Sequence, residues 1–298
     1  PEGTDELFGR VEVLDTITNA YRNQANSVLC LHAFGGVGKS ALVRYWLDHY
    51  TFPPSCIFLG WSFWSQGTQD YAGTSDEFII RSLQMLGDDR PTSGSPYARG
   101  LRLASLCRDR CVLLVLDGLE PLQYGPYTHL PGGELKDQGI RGLLVGFSDH
   151  PASNSLCIVT SRIEIRDTNL QAPAFLQRSL DLMSPEAAVE LLRARGLRGT
   201  DKEFYKAASH LNRHALALVL ASEYVQTFCD GDVSRISDIH VLDGRTRAGR
   251  HAKSVVAAYS FAILKDGALL DHDVVQVLGL FDRPASWRWL AALRQDPP

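Results

Sequence analysis

The stretch Ala33-Phe34-Gly35-Gly36-Val37-Gly38-Lys39-Ser40 narrows the possible folds more than any other part of this chain. An apolar run, Val28-Leu29-Cys30-Leu31, precedes it, and a helix-forming segment from Ala41 to Tyr50 follows. Strand, glycine loop and helix start, in that order, are what a phosphate-binding loop requires. The pattern is G-x-x-x-x-G-K-[ST], with Ala33 where the first glycine is usual. Gly35, Gly36 and Gly38 carry no Cβ to block a close approach to polyphosphate. The N–H groups of such a wrap form an anion nest, and the positive end of the following helix dipole points the same way. Lys39 is expected to reach the β- and γ-phosphates, and the Ser40 hydroxyl to ligate Mg²⁺. The whole loop from Phe34 through Val37 to Ala41 is therefore the expected cofactor contact.

A second element should bring an acid to the metal. Cys111-Val112-Leu113-Leu114-Val115-Leu116-Asp117 is an apolar run ending in a carboxylate. A run of this kind fits a parallel strand buried on both faces. An acid at its C-terminal end stands at the mouth of the sheet, where α/β proteins bind ligands. Asp117 is the expected second metal residue, although a strand-end Asp opening an Asp-Gly turn is the plainer alternative. The residue after it is Gly118, where many phosphate-loop ATPases have a glutamate base. Glu120 is the next acid: it either orients water or is a structural acid before Pro121. Slow hydrolysis is the expectation. A third apolar run, Leu156 to Thr160, ends in Ser161-Arg162. Arg162 can contact a γ-phosphate from that strand tip, or it can be one charge of a mixed surface loop.

The 298 residues are 45% apolar and carry a net charge of −4. That suffices for two or three small cores and implies no general attraction to nucleic acid. No apolar stretch nears the ~18–20 residues of a spanning helix, so no membrane role is expected. Four of the six cysteines fall in or beside predicted strands, as small apolar residues, which points to a reducing, cytoplasmic setting. The termini, Pro1 and Pro298, suggest a segment of a longer protein.

Strands alternate with helical patterns up to residue 182: strands at 28–32, 56–63, 111–117, 156–160 and 178–182, and helices at 11–21, 39–50, 74–87, 97–108 and 137–148. This predicts an α/β fold, a largely parallel sheet with helices on both faces, over residues 1–182. Ser184-Pro185-Glu186 then opens a helix. Helices near 185–196, 201–211 and 214–225 make a small helical domain over 183–230, the last of them apolar nearly all round. Residues 231–298 read as a polar linker with Arg245, Arg247, Arg250 and Lys253, then three amphipathic helices that fit the start of a winged-helix domain.

Taken together these elements resemble the STAND class of P-loop NTPases, the NB-ARC or NOD module, and most of all bacterial members that join it to repeats. The resemblance rests on Leu7-Phe8-Gly9-Arg10, Phe34 to Leu42, Trp61 to Thr68, Leu113 to Gln123, Val159 to Arg162, His214 to Leu218, and Gly279 to Ala285. It implies ATP or ADP with Mg²⁺ as cofactors, and a switch in which exchange of ADP for ATP opens the domains and permits self-association. It implies Phe8, Gly9 and Arg10 near the adenine, Arg162 as the sensor arginine, and His214 at the place of the proline in the family's G-L-P-L-A-L motif. Lys39, Asp117, Glu120 and Arg162 are then the residues on which slow hydrolysis depends. An unknown trigger, and effector and repeat domains in the same parent chain, are its implied partners, with a role in bacterial defence or regulation. The competing reading is an AAA+-like ATPase whose winged helix grips DNA. Only the Arg245–Lys253 cluster favours it; the negative charge and Gly118 oppose it.

Overall fold

The computed structural model describes residues 6–23, 26–63, 75–108, 110–125, 132–149, 155–170 and 173–239. Residues Trp64 to Thr68, the Arg245–Lys253 cluster, the three winged-helix segments and Gly279 to Ala285 lie outside the described residues. By their contacts the residues fall into two compact units: 1–34 with 39–180, and 35–38 with 181–298.

The first unit is built on strands β1 (Val28–His32), β2 (Ile57–Ser62), β3 (Val112–Asp117), β4 (Leu156–Ser161) and β5 (Phe175–Ser179). They form one sheet in the order β2-β3-β4-β1-β5, every pair parallel. The hydropathy follows from the order. Every residue of β4 is buried, and β1 and β3 are nearly so, because these three strands have neighbours on both edges and helices on both faces. The edge strands alternate or turn polar: β2 buries Leu59 and exposes Phe58, while β5 starts apolar and ends at exposed Arg178 and Ser179.

Helices α1 (Val11–Arg22), α2 (Lys39–His49), α3 (Asp76–Met85), α4 (Pro96–Arg108) and α5 (Gln138–Asp149) cover the sheet. One face packs Val28, Cys30, Leu114, Leu116, Cys157 and Val159 against α3, α4 and α5, in a core that includes Ile79, Leu83, Leu103, Leu143 and Phe147. The alternate residues Leu29, Leu31, Leu113 and Ile158 are buried on the other face, where α1 and α2 supply Ile17, Ala20, Leu42 and Trp46. The Trp46 Nε1 of α2 donates to Thr18 Oγ1 of α1 at 3.0 Å, tying these two helices together.

The strand expected at 178–182 lies three residues earlier. The apolar pair Phe175-Leu176 takes the register of Val28-Leu29, and the polar residues after it occupy an open edge. Leu180 has left the strand but still donates its N–H to His32 O at 2.9 Å.

The second unit holds α6 (Pro185–Ala194), α7 (Asp201–His210) and α8 (Ala215–Phe228), then a 3-10 turn, Val233–Asp238. The Ser184 hydroxyl accepts from Ala187 N–H at 3.1 Å, the N-cap that its sequence announces. Residues 232–239 continue this unit: Arg198 pairs with Asp232 in a parallel bridge, and Val233 and Ile236 are fully buried. Helix α8 buries a stripe, Ala217, Leu218, Ala221 and Val225, rather than its whole circumference, and Leu216 stays 42% exposed.

Helices α4 and α5 approach so closely that glycine is obligatory between them. A Cβ on Gly100 would stand 2.1 Å from Gly139 O, and one on Gly142 would stand 2.2 Å from Tyr97 O. The obstacle in both cases is backbone, which cannot rotate aside. Gly142→Ala should therefore destabilise the protein by about 1–3 kcal/mol or more, as overpacking does, read as a lowered midpoint in thermal or urea unfolding.

Candidate nucleotide site

The loop residues take the conformations that the motif predicts. Gly36 and Gly38 have φ of +77° and +102°, the left-handed region that glycine alone enters without strain. Lys39 starts α2 and folds back over the loop: its Nζ donates to Ala33 O at 2.7 Å and to Phe34 O at 3.1 Å. Burial lowers the Lys39 pKa, and Arg162 adds to this while the Glu120 and Asp117 carboxylates oppose it. An ammonium held over carbonyls and partly withdrawn from water is ready for a stronger anionic partner.

Ser40 and Asp117, expected from sequence as the metal pair, meet. Ser40 Oγ donates to Asp117 Oδ1 at 2.6 Å. The same oxygen accepts a second hydroxyl, Thr160 Oγ1, also at 2.6 Å. Thr160 Oγ1 in turn accepts from Gly118 N–H at 3.0 Å, which completes its bonding and fixes its rotamer. The strand order explains this. Strand β4 lies between β1 and β3, so its terminal Thr160 stands beside the acid that ends β3. Sequence reasoning assigned Thr160 no role, because strand order is not written in any local pattern.

A hydroxyl beside a carboxylate is a hard-oxygen donor set, the kind that Mg²⁺ accepts when phosphate oxygens and water complete its shell. Among the described residues no three His, Cys, Asp or Glu side chains gather into a metal cage of their own. The arrangement thus fits a cation shared with a polyphosphate.

Gly118 has φ of +74°. That conformation costs a side-chain-bearing residue about 1–2 kcal/mol, so the turn after Asp117 disfavours a glutamate at this place. Glu120 opens a 3-10 turn, Glu120–Leu122, two residues on. Its Oε1 accepts from Arg162 Nε at 2.9 Å, and its Oε2 is buried with no hydrogen-bond partner among the described residues. The two side chains whose roles the sequence left open are therefore joined to each other. Gln123, to which the sequence assigns no function, braces the strand tip: it accepts from Ser161 Oγ at 2.5 Å and donates from Nε2 to Gly133 O at 3.1 Å.

At the start of α1, Gly9 has φ of +61° and Arg10, 8% exposed, is the residue just before the helix. Phe8 is half-buried, and Phe34 is exposed. In the second unit, the loop carbonyls are held by α8. Leu216 N–H donates to Gly36 O at 3.0 Å, and His214 Nε2 lies 2.9 Å from Gly35 O. His214 Nδ1 accepts the Ala217 N–H at 3.3 Å, which caps α8. Because that nitrogen must accept, the proton sits on Nε2, which donates to Gly35 O; the ring is the neutral tautomer. A Cβ on Gly36 would come within 2.7 Å of His214 Cε1. Asn212 and Arg213, just before the cap, both have positive φ.

The sheet, the loop and the hydroxyl–carboxylate pair define a P-loop NTPase fold. Solved structures agree. A signal transduction ATPase with numerous domains (STAND) from Pyrococcus horikoshii, which has a tetratricopeptide repeat sensor, is similar at a TM-score of 0.56 and 16% identity over 97% of this chain. The chain spans 37% of that protein's length. A Walker-type ATPase of Pyrococcus abyssi is similar at 0.51 and 15% identity, over 99% of this chain and 87% of that one. No protein-family profile matches the sequence, and no curated protein matches it.

Two outcomes are expected from this geometry. Thr160→Val removes a hydroxyl that aims Asp117 and orphans Gly118 N–H; it should weaken Mg²⁺-dependent nucleotide binding by about tenfold, roughly one charge-assisted hydrogen bond, in a titration with and without Mg²⁺. Burial holds the His214 ring below its ordinary pKa, and does the same for His32. The folded chain then binds fewer protons than the unfolded one. Stability should be intact above the usual imidazole value of about 6.5 and fall as pH drops from there towards the lowered values. Melting curves across that range should show a smaller loss in His214→Asn, which keeps a capping oxygen but no ring.

Proposed function

We propose that this chain is the nucleotide-switch module of a STAND-type signalling ATPase, one that binds ATP or ADP with Mg²⁺ and hydrolyses slowly. The observation that carries the proposal is the shared Asp117 Oδ1, bonded to Ser40 at 2.6 Å and to Thr160 at 2.6 Å, beside a Glu120–Arg162 ion pair. Similarity to a STAND ATPase over 97% of the chain supports the class.

In this reading the glycines of 35–38 wrap the phosphates, and Phe34, Val37 and Ala41 are their flanking contacts. Lys39 exchanges its two carbonyl partners for phosphate oxygens. Ser40 and Asp117 hold Mg²⁺. Phe8, Gly9 and Arg10 take the base end, and His214 belongs to the same binding set. MgATP, when bound, supplies the γ-phosphate whose presence is the signal. Arg162 is the cation that reports it, and leaving Glu120 for phosphate is the cost of that report. Glu120 Oε2, with no hydrogen-bond partner among the described residues, leaves one carboxylate oxygen for a role in hydrolysis. Its pairing with Arg162, and the glycine conformation at 118, support slow turnover.

A ligand shifts a conformational equilibrium only by its differential affinity for the two states, and moving a population from 1:99 to 99:1 takes about 5.5 kcal/mol. Arg162 supplies an interaction that ATP has and ADP lacks. Self-association on ATP binding, an unknown trigger, effector and repeat domains in the parent chain, and a cytoplasmic defence or regulatory role complete the proposal. Among the described residues no helix is long and apolar enough to cross a membrane.

Lys39→Ala should abolish binding of both nucleotides in calorimetry; unchanged ADP affinity would sink the assignment. Arg162→Ala should weaken ATP by about 10- to 100-fold, the scale of one charged hydrogen bond, and ADP far less. Equal losses for both nucleotides would remove the reporting role.

A further inference from the structure

The parallel pairing of β2 with β3 brings two thiols together at the end of the sheet away from Asp117. Cys56 immediately precedes β2 and Cys111 immediately precedes β3, and the ladder begins with Ile57 opposite Val112. Ile57 N–H donates to Cys111 O at 2.8 Å, the bond that opens this register, and the residues one step before the pair, 56 and 111, enter the two strands side by side. Neighbouring strands lie about 4.8 Å apart, within the roughly 4.4–6.8 Å that a disulfide spans between Cα atoms. Residues level with each other in a parallel ladder point to the same face.

A third side chain marks where the sulfurs are. The Tyr21 hydroxyl of α1 lies 3.6 Å from Cys111 Sγ and 4.0 Å from Cys56 Sγ, so one phenol spans both. Both cysteines are partly exposed, whereas Cys30, Cys107 and Cys157 are fully buried. Burial and the adjoining Cys111 push the Cys56 thiol up to about 12, so Cys56 holds its proton at rest.

We propose that Cys56 and Cys111 are an oxidation site, a cross-strand dithiol that closes to a disulfide when the protein meets a peroxide. The Cys111 sulfur attacks one peroxide oxygen, the O–O bond breaks, and the thiol proton leaves with the departing oxygen as water, giving a sulfenic acid on Cys111. The Cys56 sulfur then attacks that sulfur, the S–O bond breaks, and the Cys56 proton goes to the leaving hydroxide as a second water. Two thiols are oxidised by two electrons, and one peroxide is reduced to two waters. The site lies outside the nucleotide chemistry and does not depend on the function proposed above.

The test uses the full chain, fully reduced, then treated with a small excess of hydrogen peroxide under native conditions. Intact mass should fall by two hydrogens. Non-reducing peptide mapping should find residues 56 and 111 in one cross-linked peptide, which a thiol reductant separates. Cys56→Ala and Cys111→Ala should each lose the cross-link completely, and the wild-type map stands without them should either variant fold poorly. Oxygen adducts on Cys111 with no cross-link, no change in mass, or a cross-link joining any other pair would each overturn the proposal.

Discussion

One carboxylate oxygen organises this molecule. Asp117 Oδ1 accepts hydroxyls from the first turn of α2 and from the tip of β4, two elements that share no local sequence. That convergence is possible only because β4 separates the loop strand from the acid strand. Had β1 and β3 been neighbours, Thr160 would not stand between them and the acid would rest on Ser40 alone. The parallel sheet in turn depends on helices that cover both faces, and those depend on buried runs whose composition leaves no polar face to show water. The site is thus a consequence of strand order, and strand order a consequence of which runs are apolar throughout.

How much of this was legible follows from the range of each signal. The phosphate loop is a local device, so its glycines, Lys39 and Ser40 were readable at once. Buried strands were readable because β1, β3 and β4 are apolar along their length. The edge strand β5 lies three residues before the expected 178–182, because Phe175 and Leu176 take the register beside β1 and the polar Gln177 to Ser179 follow them along an open edge. Thr160 escaped because nothing about an isolated strand end says which acid it will face. The Glu120–Arg162 pair joins positions whose separate roles were ambiguous and whose partnership was not deducible. The α4–α5 contact was equally hidden: Gly100 and Gly142 look like helix weaknesses until the facing backbone is seen.

The turn after Asp117 shows how backbone can decide chemistry. With φ of +74°, position 118 favours glycine, and the nearest acid is pushed two residues along into a 3-10 turn, where an arginine holds it. A fast hydrolase needs an unencumbered base close to the metal acid. This chain has a glycine at that place, and its next acid, Glu120, is held by an arginine.

The cap on α8 has a consequence for motion. Leu216 and Ala217 amides spend their hydrogen bonds on Gly36 O and on His214, whose other nitrogen holds Gly35 O. None of these bonds belongs to the helix interior, so fraying of the first turn and release of the loop are one event. Both amides then exchange with solvent at a rate set by a single opening equilibrium, and whatever stiffens residues 35 and 36 slows the exchange of both.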